Sequence, residues 1–350
     1  MLTSPQVTGR IRVGIVGVSG YSGSELARLC AAHHAVELRA VLADRWSGKR
    51  LDDLLPLTGA AGALSVRPMS DVSALAGEVE AVFLATPADV SAKLAPELVE
   101  RGLRVVDLSG AFRLGADAYP RWYGFEHPAP ALLPEARYGL PEVAAASGAA
   151  PAAAVTRLVA NPGCYATAAI VALAPLLAAG AVEPDVFVDG KSGVTGAGRK
   201  IEERLMFAEV AENLSAYKVA QHQHAPEIEL ALGRVAGRPV RVTFVPHLLP
   251  VRRGLLCTAY GRLTGKVAAE TIPDLMRRYY AGAGLVDVAA PEGVTIASVA
   301  HGPRARVGAV ADAERGTVVA LGALDNLLKG AASQALQNLC AMVGAPFEAP

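Results

Sequence analysis

The sequence lacks several of the features that mark particular protein classes. Its 350 residues include only four cysteines, none of them in a CxxC pair, and this spacing argues against a zinc site or a disulfide framework. Neither sign of charge is in excess, since 33 basic side chains balance 33 acidic ones. A general electrostatic attraction to nucleic acid or to an anionic membrane is therefore absent. We expect a reducing, cytoplasmic setting and no metal, nucleic-acid or membrane partner.

Long apolar runs are also missing. The first ten residues hold no apolar signal core. The most apolar stretch, 166–182, is shorter than the ~20 residues that a membrane span needs, and Pro175 interrupts it. A hydrophobic content of 52% with 19% charge is typical of a globular protein, and this length allows two domains. We predict that 166–182 forms a buried core helix.

The most informative stretch surrounds Cys164. The apolar run 158–160 predicts the end of a buried strand, Asn161-Pro162-Gly163 predicts a turn, and 166–177 predicts a helix. At a helix start, unpaired backbone N–H groups and the helix dipole favour a thiolate, and they can also bind an oxyanion that forms on a substrate carbonyl. The sequence here predicts a nucleophile. The alternative is a buried structural cysteine, which is common.

A glycine-rich turn follows the first predicted strand, 11–16, and precedes a predicted helix, 24–32. Its pattern is Gly17-Val-Ser-Gly20-Tyr-Ser-Gly23, or GxxGxxG rather than GxGxxG. Between a strand and a helix, such a turn favours the pyrophosphate of a dinucleotide, although an ordinary tight turn is the alternative. The next strand, 36–43, ends at Asp44-Arg45. An acid there indicates NAD and a base indicates NADP, and Arg45 favours NADP.

Strands and helices continue to alternate through the first half of the chain. Strands are predicted at 81–85 and 104–108 around a helix at 88–101, which indicates an α/β fold with a parallel, doubly wound sheet. Ligands bind beyond the carboxyl ends of such strands, where Thr86-Pro87 and the segment 107–113 lie. The guanidinium of Arg113 suits a phosphate or carboxylate, with a surface salt bridge as the alternative. The segment 143–155 has the composition of a linker.

The second half contains a further glycine-rich segment and a histidine pair. The segment 190–199 follows a strand at 186–189 but lacks the GxxxxGK[ST] order of a phosphate loop, so it indicates a cofactor-covering loop and not a nucleotide triphosphatase. His222 and His224 precede a predicted helix, 226–232. A histidine there can act as acid or base, and the alternative is a structural role. Further strands are predicted at 240–245, 254–263, 295–299 and 318–321, and a last helix at 325–342.

Taken together, the motifs resemble those of the N-acetyl-gamma-glutamyl-phosphate reductase family, which belongs to the aspartate-semialdehyde dehydrogenase superfamily. The resemblance covers nearly the whole chain, and its motifs occur in the family's order. They are 17–23 (GVSGYSG), 108–114 (LSGAFRL), 138–142 (YGLPE), 161–165 (NPGCY), 192–198 (SGVTGAG), 222–228 (HQHAPEI), 246–250 (PHLLP) with 253–254 (RG), and 325–330 (DNLLKG). Two positions depart from the family pattern: Ala166 replaces a proline, and Arg304 replaces a polar residue.

The resemblance implies a reaction and its residues. NADPH would reduce an acyl phosphate to an aldehyde with release of phosphate, through a thioester on Cys164. His224 would be the acid/base and His222 a substrate contact, although the resemblance does not separate their roles firmly. The implied cofactor-binding residues are Gly17, Ser19, Gly20, Tyr21, Gly23, Arg45, Thr86, Pro87, Ser192 and Gly193. The implied substrate-binding residues are Ser109, Arg113, Asn161, Tyr217 and Glu227.

The resemblance also implies a domain organisation. Residues 1–160 and 325–350 would form an NADP-binding Rossmann domain, and 161–324 an α+β domain with a mixed sheet for substrate binding and for assembly into a homodimer or homotetramer. Three other activities stay open: a reductase whose aminoadipyl or glutamyl phosphate is attached to a carrier protein, an aspartate-semialdehyde dehydrogenase, and a non-catalytic NADP-binding regulator. The last of these would not require the thiol and the histidine pair.

Overall fold

The computed structural model describes residues 9–146, 156–199 and 201–348. Its strands are β1 (Ile11–Val16), β2 (Val36–Leu42), β3 (Ala81–Leu84), β4 (Arg104–Asp107), β5 (Arg137–Tyr138), β6 (Leu158–Ala160), β7 (Asp185–Gly193), β8 (Ser215–Ala216), β9 (Arg241–Leu249), β10 (Leu255–Arg262), β11 (Val286–Val288), β12 (Ala305–Asp312) and β13 (Thr317–Leu324). Its α-helices are α1 (Tyr21–Ala32), α2 (Gly59–Gly62), α3 (Ala88–Glu100), α4 (Tyr119–Tyr123), α5 (Pro141–Ala146), α6 (Cys164–Ala178), α7 (Phe207–Val210), α8 (His224–Ala236), α9 (Ile272–Tyr279) and α10 (Ser333–Val343).

The chain divides into two compact units. The first contains 1–141, 150–162 and 331–350, and the second contains 142–149 and 163–330. Within the first, six parallel strands form a sheet in the order β2-β1-β3-β4-β6-β5. Apolar side chains of α1 and α10 pack on one face of this sheet and those of α3 on the other. Because both faces are covered, β1 and β3 are nearly continuous apolar runs.

The second unit is built on a mixed sheet of seven strands in the order β11-β12-β13-β10-β7-β9-β8. The pairs β7·β9 and β11·β12 are parallel, and the remaining neighbours are antiparallel. Helix α6 packs on β10 and β13, α8 on β9, and α9 on β12. The predicted fold class, a doubly wound domain joined to an α+β domain, is confirmed by these two units.

One row of side chains crosses the opposite face of the mixed sheet. Phe187 of β7 is directly opposite Tyr260 of β10, Tyr260 opposite Val319 of β13, and Val319 opposite Val310 of β12. Phe187, Tyr260 and Val310 are 56%, 45% and 49% exposed. An in-register apolar row of this kind stabilises strand pairing, but it also leaves apolar surface in water.

Helix α6 shows how the apolar stretch after Cys164 is used. Every residue from Tyr165 to Leu177 is buried, as predicted for a core helix. A helix that is apolar on all sides must be enclosed by other elements, and here the mixed sheet and its neighbouring helices enclose it. No helix of the described segments is long and apolar enough to cross a membrane.

Three sequence predictions of local structure were wrong. The predicted strand 295–299 is a turn. Val299 is buried against Ala323 there without pairing with another strand. The loop predicted from 190 begins later, since β7 continues to Gly193. The last helix, predicted from 325, is a regular α-helix only from Ser333. The Asp325 carboxylate accepts the N–H groups of Leu327 and Leu328, and a π-helical turn follows at Leu328–Ala332. Of the predicted linker, residues 147–155 lie outside the described residues.

Arg304, which departs from the family pattern, has a structural role. Its guanidinium donates to both carboxylate oxygens of Asp287 and to the carbonyl of Gly284. Two parallel bonds to a carboxylate form the strong fork–fork arrangement. Arg304 therefore ties the start of β12 to the segment that contains β11.

Candidate active site

Cys164 occupies the position that the sequence predicts. It is the first residue of α6, directly after the turn Asn161–Gly163, and it is partly exposed. The first N–H groups of a helix have no partner within the helix, so they and the helix dipole favour negative charge at this sulfur. Gly330 passes close by: a Cβ on it would lie 2.7 Å from the Cβ of Cys164. Only glycine lets the backbone approach the thiol so closely.

The thiol opens into a small cavity of the second unit. Its volume is about 120 Å³, well above the ~10–15 Å³ that a cavity needs to hold one water molecule. This space suits the reacting end of a small substrate. Six of the predicted site residues line it, namely Cys164, Ser192, Gly193, Tyr217, His222 and His224.

His222 is held as a neutral imidazole. It is 5% exposed, and burial, with a smaller contribution from His224, lowers its pKa from 6.5 to about 2. Its Nδ1 accepts the backbone N–H of His224 at 3.1 Å. Since Nδ1 is an acceptor, the neutral ring carries its proton on Nε2. His222 can donate a hydrogen bond from Nε2, but it cannot exchange a proton near neutral pH.

His224 begins α8 beside a buried carboxylate. Its Nε2 lies 4.0 Å from Oε2 of Glu227. Oε1 of Glu227 accepts the N–H of Gly163 at 2.9 Å, so one carboxylate joins the turn before Cys164 to the start of α8. Glu227 is only 1% exposed. Its predicted contact with substrate stays a prediction, and the structure shows it linking the turn before Cys164 to His224.

Two phenols form the wall of the cavity next to the thiol. The Tyr217 hydroxyl donates to that of Tyr165 at 3.4 Å, and the Tyr165 hydroxyl donates to the carbonyl of His247 at 2.8 Å. Burial raises the pKa of Tyr217 to about 12, so its hydroxyl stays protonated at neutral pH and can donate a hydrogen bond. Gly190 makes room for Tyr165, since a Cβ there would lie 2.7 Å from the Tyr165 ring.

The glycine-rich turn of the first unit forms a cradle for an anion. Gly17 has φ +94°, and a Cβ on it would lie 2.4 Å from the carbonyl oxygen of Ala85. A Cβ on Gly23 would lie 2.3 Å from the carbonyl oxygen of Gly17. Both positions therefore need glycine. Ser19 and Gly20 complete the turn, and Tyr21 begins α1, whose N-terminal N–H groups suit a pyrophosphate.

The two residues that bear on the cofactor preference, Asp44 and Arg45, are both exposed. Asp44 accepts the N–H of Met69 at 2.8 Å, while Arg45 is exposed directly after β2. One oxygen of the carboxylate that would indicate NAD is thus already engaged. After β3, the Thr86 hydroxyl is hydrogen-bonded to that of Ser91 at 2.7 Å, and Pro87 caps α3. These residues border the glycine turn, whose Gly17 packs on Ala85 and Thr86.

Three residues predicted to bind substrate are engaged inside the first unit. Arg113, 8% exposed, donates to the carbonyls of Asn161 and Leu108, both at 2.9 Å. The Ser109 hydroxyl donates to Asp107 at 2.9 Å. The Asn161 amide donates to the carbonyl of Ala331 and accepts from Asn338. The structure gives all three a part in shaping the ends of β4 and β6, and their contacts with substrate stay predictions.

Comparison with known proteins decides the family. Residues 12–149 match the model "Semialdehyde dehydrogenase, NAD binding domain", and 164–326 match "Semialdehyde dehydrogenase, dimerisation domain". N-acetyl-gamma-glutamyl-phosphate reductases from Dehalococcoides mccartyi and Laribacter hongkongensis are 41% and 43% identical to the chain. Each alignment covers 96% of this chain, and they cover 95% and 96% of the two relatives, respectively. The chain belongs to the N-acetyl-gamma-glutamyl-phosphate reductase family. The resemblance drawn from the motifs is confirmed.

Solved structures agree on the fold. Aspartate semialdehyde dehydrogenase II from Vibrio cholerae has a TM-score of 0.72 at 18% identity, with 96% of this chain and 99% of that chain covered. Aspartate semialdehyde dehydrogenase from Candida albicans, solved with NADP, has a TM-score of 0.68 at 15% identity, with 96% of this chain and 99% of that chain covered. At these identities the likeness shows the fold alone. The match to an NAD binding domain confirms that a nicotinamide dinucleotide is the cofactor class of this reductase family.

Sequence reasoning missed several residues of the site. Tyr165, Gly196, Ala197, Gln223 and Leu248 also line the cavity. Leu248 could have been found from the alternation of buried and exposed residues along β9. Gly330 had a weaker signal, the glycine that ends the motif 325–330. Its closeness to Cys164 depends on a contact across more than 160 positions of sequence, which no local pattern encodes.

No metal site accompanies these groups in the described part of the chain. No set of three or more His, Cys, Asp or Glu side chains is placed there to hold a metal ion. The rings of His222 and His224 are edge to face with centroids 4.6 Å apart, and the carboxylate of Glu227 lies beside His224. The cavity brings together a thiol, two imidazoles and two phenols.

Proposed function

We propose that this protein catalyses the NADPH-dependent reduction of N-acetyl-gamma-glutamyl phosphate to N-acetylglutamate 5-semialdehyde with release of phosphate, a step of arginine biosynthesis. The observation that carries the proposal is the cavity in which Cys164, at a helix start, meets His222, His224 and Tyr217. The names of the most similar relatives supply the substrate. We assign cofactor binding to residues 1–160 and 325–350 and substrate binding to 161–324.

The proposed chemistry begins at the thiol. The thiolate of Cys164 attacks the acyl carbon, the bond from that carbon to the phosphate oxygen breaks, and a thioester forms on Cys164. N–H groups at the start of α6 stabilise the negative charge that develops on the carbonyl oxygen. The hydride that reduces the thioester would come from NADPH bound at the glycine turn and at Ser192 and Gly193. His224 gives a proton to the hemithioacetal oxygen and takes it back as thiolate and aldehyde separate. Neutral His222 donates a hydrogen bond from Nε2 to the substrate.

The residues present fit the dinucleotide. Gly17 and Gly23 leave a backbone cradle that any Cβ would fill, and the start of α1 directs N–H groups at the same place. Exposed Arg45 suits a 2′-phosphate, which favours NADP(H) over NAD(H). Ser192 and Gly193, at the end of β7, would border the nicotinamide.

Arg45 gives a direct test of the cofactor assignment. We expect Arg45→Ser to lower the ratio of kcat/KM for NADP to that for NAD by about ten- to hundredfold, because a hydrogen bond to a charged group contributes ~1.5–3 kcal/mol. Steady-state kinetics with both cofactors measure the ratio. Arg39→Ser is the matched control, since Arg39 is an exposed arginine of β2, the strand that precedes Arg45. An unchanged ratio in Arg45→Ser would move the 2′-phosphate site elsewhere.

The activity itself is best measured in the reverse direction, in which the substrates are stable. The protein is mixed with N-acetylglutamate 5-semialdehyde, inorganic phosphate and NADP, and the absorbance of the reduced cofactor is followed. We expect phosphate-dependent reduction of NADP with this aldehyde and little with aspartate semialdehyde. Turnover with aspartate semialdehyde alone would reassign the substrate. Cofactor binding without turnover of either aldehyde would favour a carrier-bound substrate or a non-catalytic protein.

We further propose that the protein works in the cytoplasm as a homodimer or homotetramer. Two features support self-association. The family model that matches the second unit is described as a dimerisation domain, and the in-register apolar row on the mixed sheet is exposed. Exposed contiguous apolar surface in a globular protein marks an interaction site.

A further inference from the structure

One buried ion pair of the second unit has no part in the proposed chemistry. The Lys329 ammonium donates to Oε1 of Glu142, and the two residues are 0% and 2% exposed. Lys329 is the only buried lysine of the described residues. Both residues come from motifs to which the mechanism gives no role, 138–142 and 325–330. A pair of charges so fully removed from water needs an explanation, because its desolvation is costly.

Stability alone does not account for this pair. Two charges lose their hydration on burial, and replacing such a pair with apolar side chains of similar volume is often neutral or stabilising. An ion pair also has direction, since the ammonium must point at the carboxylate, whereas apolar contacts are non-directional. Glu142 and Lys329 are 187 residues apart in the chain. Their bond therefore holds two distant segments in one arrangement.

Lys329 lies in a rare backbone conformation. The π-helical turn Leu328–Ala332 surrounds it, and the N–H of Gly330 donates to the carbonyl of Asp325, five residues earlier, at 2.9 Å. Turns of this kind are uncommon and are frequent at functional sites. The Asp325 carboxylate, which is fully buried, accepts from the guanidinium of Arg253 at 2.9 Å. Buried charged contacts thus hold this part of the chain on both sides, at Asp325 and at Lys329.

The glycine that follows Lys329 packs directly on the nucleophile. A Cβ on Gly330 would lie 2.7 Å from the Cβ of Cys164 and 3.2 Å from its Cα, so the backbone of Gly330 limits where the Cys164 side chain can lie. If the π-helical turn relaxed to an α-helical one, Gly330 would move, and the sulfur would shift relative to the N–H groups at the start of α6. A displacement of about 1 Å at a reacting group costs up to about a hundredfold in rate.

We propose that the Lys329–Glu142 ion pair is a positioning device. It fixes the π-helical turn and thereby the contact of Gly330 with Cys164, which holds the sulfur where it attacks the acyl carbon. Lys329 and Glu142 are positioning residues, since they act through Gly330. The kinetic part of this inference rests on the proposed reductase activity, whereas the placement of the thiol does not.

The experiment replaces both charges at once, because a single replacement would leave one buried charge uncompensated. The test variant is Lys329→Met/Glu142→Leu in the full-length protein. The control is Arg241→Met/Asp185→Leu, whose ion pair is exposed, joins β9 to β7 of the same unit and lies outside the thiol cavity. Thermal unfolding, NADP binding and the reverse assay are measured for each protein. The alkylation of Cys164 by iodoacetamide is followed as a function of pH, with mass spectrometry to identify the alkylated cysteine.

The apolar pair is expected to unfold at the wild-type temperature and to bind NADP as the wild type does. We expect kcat to fall about ten- to hundredfold, with KM for the aldehyde changed less than about threefold. Alkylation of Cys164 at pH 7 should slow at least about fivefold and its pH profile should move to higher pH, because a displaced sulfur loses the N–H groups that favour the thiolate. The control should match the wild type in every measurement.

Gly330→Ala tests the same contact with the ion pair intact. The added Cβ displaces the Cys164 side chain, so this variant should also lower kcat and slow the alkylation. Combined with Lys329→Met/Glu142→Leu, it should lower kcat little further, since effects that act on one contact are not additive.

Either of two results would overturn the proposal. One is a folded apolar pair with wild-type kcat and alkylation, which would reduce the ion pair to a stabilising contact. The other is wild-type kcat and alkylation in Gly330→Ala, which would remove the contact from the mechanism. If the apolar pair does not fold, Glu142→Gln replaces it, since the amide keeps the shape and weakens the bond to Lys329, and unchanged kcat and alkylation there would also refute the positioning role. A wild type without turnover refutes the proposed activity, while alkylation of Cys164 still tests the placement of the thiol.

Discussion

Cys164→Ser should abolish phosphate-dependent turnover of N-acetylglutamate 5-semialdehyde, with kcat/KM reduced at least about a thousandfold, while the protein stays folded and binds NADP. The reason is that the thiolate forms the covalent bond from which every later step proceeds. A serine hydroxyl at the same helix start is almost entirely protonated at neutral pH and is a poor nucleophile. The reverse assay measures the loss, and the quenching of protein fluorescence by NADP measures binding.

Cys257→Ala is the matched control for this prediction. Cys257 is buried in β10 of the same unit, and burial raises the pKa of its thiol, so it is inert at neutral pH. We expect its loss to reduce stability by about 1 kcal/mol and to leave turnover near that of the wild type. Full activity in Cys164→Ser, or its loss in Cys257→Ala with the fold intact, would place the nucleophile elsewhere.

His224→Gln should lower kcat by about a hundred- to ten-thousandfold, the usual contribution of a positioned acid/base. In the reverse reaction the general base must be unprotonated, so we expect wild-type kcat/KM to rise with pH in the near-neutral range of the assay. That rise should disappear in His224→Gln. The pKa of His222, lowered to about 2 by burial, keeps His222 neutral throughout this range, so its titration cannot produce the rise.

His222→Gln is the comparison that separates the two histidines. Glutamine keeps a hydrogen-bond donor, so we expect KM for the aldehyde to increase several-fold while the rise of kcat/KM with pH is retained. Measurements of kcat/KM against pH for both variants decide the assignment. A pH dependence that vanishes in His222→Gln and survives in His224→Gln would exchange the roles given to the two residues.

Local sequence was sufficient to predict the parts of the site that a single short segment forms. The order strand, Asn-Pro-Gly, cysteine, helix predicted where Cys164 lies, because glycine and proline end the strand and the next residue must begin α6. The glycine turn before α1 was predicted in the same way. Gly17 in the left-handed region and Gly23 against the carbonyl of Gly17 confirm that those positions need glycine.

Sequence reasoning failed where packing overrides local preference. The glycines after 189 indicated a loop, but Gly190 belongs to β7 and its missing side chain accommodates the ring of Tyr165. The apolar residues around 295–299 indicated a strand, yet burial of Val299 satisfies them in a turn. The sequence shows that a residue is small or apolar. Only its neighbours in the fold determine whether it lies in a strand, lies in a turn or lets another side chain pack against the backbone.

Whether sequence or tertiary structure decides a feature depends on how far apart in the chain the interacting residues lie. Sequence alone determined the α/β class, the glycine cradle, the cysteine at a helix start and the family, since each depends on contiguous residues. Only the tertiary structure decided that His222 is neutral, that Glu227 joins Gly163 to the start of α8, and that the segment between β7 and α8 brings Tyr217 beside Cys164. Burial and charge–charge contact act through space, between groups that the sequence places about 50 to 65 residues apart.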